Sequence, residues 1–410
     1  MKKRPSTGLT GDQRLWSRWR TGLVAAAVAL LVAGCGGSDP VEPGTGSPSG
    51  APTAPPTGGF TSLVSFGDSL SDIGAYTPAT VVPGTNPPVY IGGKFTTNGP
   101  AGKVWVENLA ASLGLIITPG EIGFAGQSLA CPAAAQGLGT TCTGYGQGGS
   151  RVTDPNGIGK AGGALTVPMK TQIANHLARF GSFKSNDLVV VFGGNNDAFT
   201  QFGIFAAKAA QIQADAQAGK ITPEQAQQLL LGAQLAGFDE MKKAGLELAS
   251  YVKSDILAKG GKYVAVWTLP DSALTPFGQS LPAQVRSVLT AMVDIFNLWL
   301  REGLTGQPVQ LVDANASFRD VYLNPARYGI TNNMVPACDA AKIAVISGGA
   351  VTDGSSLFCN ATPGAPYNGL RSGADFNTWQ FADGVHPSTG AHKLISDTAL
   401  RELKSSGWVK

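Results

Sequence analysis

The chain has 410 residues, 43% of them hydrophobic and 14% charged, with 55 Gly and 26 Pro; this is too apolar for a disordered polypeptide and long enough for one large core with additions. The formal charge is +3, yet six basic residues and one acid precede Cys35, so the rest carries 24 basic against 26 acidic side chains, without the basic surplus that nucleic-acid binding needs. Three His and five Cys leave little room for a zinc site, and no metal or cofactor is expected.

Residues 1–34 read as a secretion signal: a basic start, then an apolar stretch from Leu23 to Val32 that is short for a membrane span. Val32-Ala33-Gly34-Cys35 resembles the end of a bacterial lipoprotein signal. That resemblance implies that Cys35 is lipidated, becomes the N-terminus and anchors the protein to a membrane. Gly36 and Gly37 follow, with no Asp directly after the Cys, which favours the outer membrane. Residues 35–59, rich in Gly, Ser, Pro and Thr, have almost nothing apolar to bury and are expected to form a flexible tether.

The folded body is expected over 60–410, with strands and helices in alternation. Leu63–Phe66, Asp187–Phe192, Tyr263–Leu269 and Val309–Val312 are apolar runs of strand length. Apolar positions at helical spacing mark residues 100–113, and longer helices are expected over 166–180, 203–218, 223–258 and 282–303. Thr222-Pro223-Glu224-Gln225 is a helix start with a Thr cap, Pro in the first turn and Gln three after the cap. This alternation predicts a parallel sheet covered on both faces, with reactive groups at the carboxyl ends of its strands. Export permits disulfides, and proximity suggests Cys131 with Cys142 and Cys338 with Cys359, although four Cys allow three pairings.

Three strand-end or turn segments carry possible chemistry. Phe66-Gly67-Asp68-Ser69-Leu70-Ser71-Asp72 places a Ser after a buried strand; it lacks the Gly-x-Ser-x-Gly elbow of the α/β-hydrolases. Phe192-Gly193-Gly194-Asn195-Asn196-Asp197 reads as a turn whose amides can donate to an oxyanion. In Phe381-Ala382-Asp383-Gly384-Val385-His386-Pro387 a carboxylate lies three residues before a His and can orient it. Each also reads as an ordinary turn. His176 falls in an amphipathic helix, where solvent or packing explains it, and His392 on the helix after the last turn.

Together these segments resemble the blocks of the GDSL, or SGNH, hydrolases: residues 66–72 the first, Gly194-x-Asn196-Asp197 the third, Asp383-x-x-His386 the fifth. Gly144-Tyr145-Gly146-Gln147-Gly148-Gly149-Ser150 stands at the second block and departs from it at Gly144. Phe95-Thr96-Thr97-Asn98-Gly99-Pro100 and Val104-Trp105-Val106-Glu107 resemble the segment after the first block in the lipase-like branch. The resemblance implies a flavodoxin-like α/β/α sandwich with about five parallel strands. It also implies ester hydrolysis with Ser69 as nucleophile, His386 as base and Asp383 as its partner, and an oxyanion hole from Ser69, Gly149 and Asn196.

The expected activity is that of a monomeric carboxylic ester hydrolase on a small-molecule or lipid ester of short to medium acyl length. Lysophospholipid, polymer ester and acetylated glycan remain alternative substrates, and a non-catalytic binding lipoprotein is the contrasting class. Two stretches exceed a minimal fold of this kind: a helical insertion over 199–258 and a Cys-bracketed segment over 320–380. Either could wall the cleft or decorate the periphery.

Overall fold

The computed structural model describes residues 50–410 except 83, 84, 87, 88, 365 and 366. The expected signal 1–34, Cys35 and the tether up to residue 49 lie outside the described residues. No described helix is long and apolar enough to cross a membrane. Packing begins before Phe60: the Trp408 indole donates to the Pro52 carbonyl at 2.6 Å and the Tyr263 hydroxyl to that of Ala54 at 3.0 Å.

The central sheet is parallel, in the order β1 (Ser62–Gly67), β4 (Asp187–Phe192), β5 (Tyr263–Trp267), β6 (Gln310–Val312). Four strands pair fully where about five were expected. The fifth position, beyond β1, is a single parallel bridge between Ser65 and Gly144. At Gly144 a Cβ would run into the Ile73 side chain, so the bridge residue has no room for a side chain of its own. A separate hairpin, β2 (Glu121–Phe124) and β3 (Gln127–Ala130), is antiparallel.

Alternation along the strands divides the core. Val64, Phe66, Val189, Val191, Val264 and Val266 face one side. There they meet α2 (Met169–Phe180), α3 (Asn195–Gln217), α4 (Pro223–Tyr251) and α5 (Ala283–Leu304). Leu63, Leu188, Val190, Tyr263, Ala265 and Trp267 face the other, against α1 (Trp105–Ser112) and α8 (Thr389–Ser405). Two short helices, α6 (Ala314–Leu323) and α7 (Ala340–Ile346), belong to the segment after β6. These two layers of helices on a parallel sheet are the α/β/α sandwich; successive side chains point to opposite faces, so strands covered on both faces are apolar almost throughout.

The two extra stretches settle differently. In the first, α3 and α4 form a helical hairpin, and α4 runs parallel to α5. Gly237 lies beside Met292, Gly245 against the backbone of Phe296 and Leu300, and Ala249 against Gly303. A methyl group at Gly237 would also lie 4.0 Å from the Cβ of Gln201, so α3 passes close by at that level. Beyond that level α3 continues to Gln217, roughly 24 Å at the α-helical rise, to the turn at 218–222. In the second, the Cys338–Cys359 disulfide encloses α7 around a small core of Ile343, Val351 and Ala382. The other bridge joins Cys131 to Cys142, so both pairings by proximity hold.

Candidate active site

The carboxyl end of β1 is held by a side chain from α2. Gln172 accepts the Gly67 N–H at 3.0 Å and donates to its carbonyl at 2.8 Å, replacing a strand neighbour. Asp68 follows in extended conformation and caps a single 3-10 turn, Ser69–Ser71, by accepting the Leu70 N–H. Ser69 therefore opens a helical turn, and its own N–H meets no acceptor among the described residues. Asp72 accepts N–H groups from Gly74, Ala75 and Gly148, which fastens the second block to the first. Burial raises its carboxyl to about 6 against those three bonds.

The His comes from a tight turn closed by the Ala382 N–H on the His386 carbonyl, 2.8 Å. Within it Asp383 Oδ1 accepts the N–H groups of Val385 at 3.0 Å and His386 at 2.8 Å. Oδ2 accepts the Ser356 N–H at 2.8 Å. The ring Nδ1 of His386 lies 2.9 and 2.8 Å from the two carboxylate oxygens, and its Nε2 lies 2.9 Å from Ser69 Oγ. An ionised carboxylate only accepts, so the proton sits on Nδ1 and Nε2 is left to accept the Ser69 hydroxyl. Burial alone would raise the Asp383 carboxyl; the His386 charge and the bonds from His386 and Ser356 outweigh it and hold the group below the usual range. Burial would lower His386, and the Asp383 charge and hydrogen bond reverse this and raise it. The Phe95 ring covers the imidazole, centroids 4.8 Å apart.

The candidate oxyanion donors come from two loops and one helix. The Gly148 N–H is spent on Asp72, whereas that of Gly149 meets no acceptor among the described residues. Gly149 has φ +80°, and a Cβ there would lie 1.9 Å from the Ile158 carbonyl, so a side chain fits neither the backbone nor the space. The expected Gly-Asn turn is in fact the first turn of α3, which begins at Asn195 and not near residue 203. Its neighbouring side chains divide their work. The Asn195 amide donates to Asp68 at 2.9 Å, and Asp197 accepts from Arg151 and Val152. Asn196 donates one amide hydrogen to the Ser150 carbonyl at 2.9 Å and has a second to give. The positive end of the α3 peptide dipoles faces the same place.

Ser69, Gly149, Asn196, Asp383 and His386 thus meet on one cavity of about 1150 Å³. Its walls are mainly apolar, with Phe95, Ile158, Phe277 and Phe318 among them. The Cys-bracketed segment supplies much of the rest, including Met334, Ile346, Val351 and Phe358. From the helical insertion the described lining takes Phe199 alone. Leu229 and Leu231 are about half exposed and Leu230 and Phe238 pack inward, none of them on the cavity.

The remaining two His are structural. His176 is buried among Phe66, Tyr145, Phe180 and Phe183, so packing and not solvent explains it, and burial lowers it to about 4. His392, on α8, accepts the Trp105 N–H at Nδ1 and points Nε2 at the Phe95 carbonyl, each at 3.3 Å; burial lowers it to about 3. Sequence reasoning missed Ser356. It acts through a backbone N–H, which any residue but Pro supplies, so no residue type marks it.

Among curated proteins none matches the chain. Residues 63–399 match the profile of the family described as GDSL-like Lipase/Acylhydrolase, a span that includes every residue of the site above. The chain therefore belongs to the GDSL-like lipase/acylhydrolase family and is a hydrolase acting on esters.

Proposed function

We propose that the protein is a serine esterase that works through an acyl-enzyme on Ser69. The Ser69 oxygen attacks the ester carbonyl carbon as its proton passes to His386 Nε2. The tetrahedral intermediate collapses, and His386 hands that proton to the departing alcohol. Water, deprotonated by the same nitrogen, then releases the acid and restores Ser69. Asp383 holds the ring and balances the imidazolium. The N–H groups of Ser69 and Gly149 and the Asn196 amide receive the oxyanion.

The observation that carries this reading is the unbroken path from Ser69 Oγ through both ring nitrogens of His386 to Asp383, every step within 2.9 Å. A binding protein has no use for a base aimed at a hydroxyl. Short to medium acyl chains are the part we propose is recognised, and the apolar walls of the cavity support an acyl group there. Ser69→Ala should fold normally and lose about a thousandfold or more in kcat/KM on chromogenic esters of graded chain length; activity near that of the parent would end the proposal. We further propose an exported lipoprotein held at the outer membrane through lipidated Cys35. Acyl chains on the N-terminal peptide by mass spectrometry, and release of Cys35→Ala from the membrane, are the expected results; a mature N-terminus elsewhere would contradict it.

A further inference from the structure

The segment Phe95–Pro100 stands out in the sequence, yet the chemistry above does not use Asn98. This side chain is 3% exposed. Its amide donates to the Ser356 carbonyl at 2.9 Å, and its Oδ1 accepts the Lys94 N–H at 3.1 Å. The main chain grips the same stretch: the Asn98 N–H donates to the Cys359 carbonyl and the Asn98 carbonyl accepts the Ala361 N–H, both 2.8 Å. Cys359 is bonded to Cys338, whose N–H donates to the Ala382 carbonyl at 2.9 Å, on the turn that carries Asp383.

Three backbone N–H groups reach Asp383, and they are not equivalent. Those of Val385 and His386 belong to the same turn and both meet Oδ1. They locate that oxygen and leave the carboxylate plane free to swing about it. Ser356, 27 residues away in sequence, meets Oδ2. A third bond on the second oxygen fixes the plane opposite His386 Nδ1. We propose that Ser356 is a positioning residue for the reaction: its main-chain N–H, held by Asn98 and by the Cys338–Cys359 bridge, sets the plane of Asp383 and, through it, the direction of His386. The inference rests on the reading of Ser69, His386 and Asp383 as the reacting set. The Ser356 hydroxyl is buried and meets no partner at hydrogen-bonding geometry among the described residues, yet it lies near enough to Asp383 to help keep that carboxyl low, so Ser356→Ala is the variant that separates it from the N–H.

The local backbone allows a direct test. Ser356 is the first residue of a short 3-10 turn, and Ser355 before it has φ −49° and ψ 127°. The first helical position accepts Pro, and such a ψ suits the residue before one. Ser356→Pro therefore replaces the donor hydrogen by a ring carbon, while Ser356→Ala keeps the N–H. In steady-state hydrolysis of a p-nitrophenyl ester by the oxidised protein, Ser356→Pro should lower kcat by about ten- to a hundredfold. KM should change little, the melting temperature should fall because buried Asp383 loses a donor, so kcat is read per folded molecule, and Ser356→Ala, which keeps the N–H, should hold kcat near the parent. Asn98→Ala, which removes the strut and leaves the N–H, should lower kcat by a smaller factor. Folded Ser356→Pro with parental kcat, or an equal loss in Ser356→Ala, would overturn the proposal. If Ser356→Pro does not fold, Asn98→Ala decides, and parental kcat there overturns it. Ser69→Ala in the same assay separates the two readings. An inactive Ser69→Ala beside a fully active Ser356→Pro refutes the positioning role alone, whereas an active Ser69→Ala refutes the reacting set itself.

Discussion

The two additions to the sandwich differ in what they do with their length. The helical hairpin of α3 and α4 is long, regular and rich in apolar residues, yet past Phe199 it lends no side chain to the cavity. The Cys-bracketed segment is irregular, and it walls the cavity and touches Asp383. The hairpin has a helix of its own to lean on, since α4 lies along α5 through Gly245 and Gly303. The other segment has a small core closed by a disulfide, and its remaining surface faces the cavity. Helical order and nearness in sequence to Asn196 are thus poor guides to which residues line the cavity. The root of the hairpin, its first turn, is the exception.

The comparison sharpens first at that root. Asn196→Ala should lower kcat by about 100- to 1,000-fold with little change in KM, because an oxyanion donor counts most in the transition state. Asn195→Ala instead strips a donor from buried Asp68 and should cost about 1–3 kcal/mol of stability, with the rate per folded molecule nearly kept. Thermal melts beside steady-state kinetics distinguish the two; exchanged behaviour would show that the oxyanion donor is the other Asn.

Reduction comes next. Opening Cys338–Cys359 frees the segment that holds Ser356, so Cys359→Ser should lower kcat by about tenfold or more. Cys142→Ser opens a bridge that lies off the cavity and should leave kcat near the parent. Equal losses from both bridges would erase the distinction between the regions. The pH profile follows the same geometry. His386 is active when neutral, and Asp383 raises its pKa, so kcat/KM should climb with pH through a midpoint above the ordinary imidazole value of about 6.5. A midpoint below that value would mean that the carboxylate does not act on the ring as described.

The hairpin itself should give the smallest effects. At Gly245 a methyl group would fall 2.6 Å from the Phe296 carbonyl, forcing α4 and α5 apart. Gly245→Ala should cost about 1–3 kcal/mol in a denaturant melt and leave the rate per folded molecule unchanged. The double change Leu231→Ser with Leu235→Ser, at half-exposed positions on α4, should alter neither stability nor hydrolysis of a dissolved ester measurably. A clear loss of activity would place the hairpin in the working site after all.

How far the sequence was legible depended on which atoms carry the signal. Asp187–Phe192 was readable to the residue because a strand buried on both faces must be apolar throughout. Ser69, Asp383 and His386, which the structure brings into one hydrogen-bonded line, could be picked out because the proposed chemistry needs those side chains. Asn195-Asn196-Asp197 was misread as a turn: polar residues at the start of a helix look like a loop until the chain after them is seen to be helical. The β2–β3 hairpin left no trace. Its strand Gln127–Ala130 is exposed throughout, and its turn is Ala125-Gly126, φ +52° and +81°, without the Asn-Gly or Asp-Gly that usually marks such a turn. Ser356 was invisible for a deeper reason, since its contribution is an amide hydrogen common to nearly all residues.

The proposed mechanism requires that Ser69 be the group His386 activates. Mass spectrometry of the oxidised protein after reaction with an organophosphonate ester tests it most directly. One phosphonyl adduct is expected, on the peptide containing Ser69, with activity lost in proportion to labelling and no adduct in His386→Ala on the same timescale. Stoichiometric inactivation with the adduct on any other residue would contradict it.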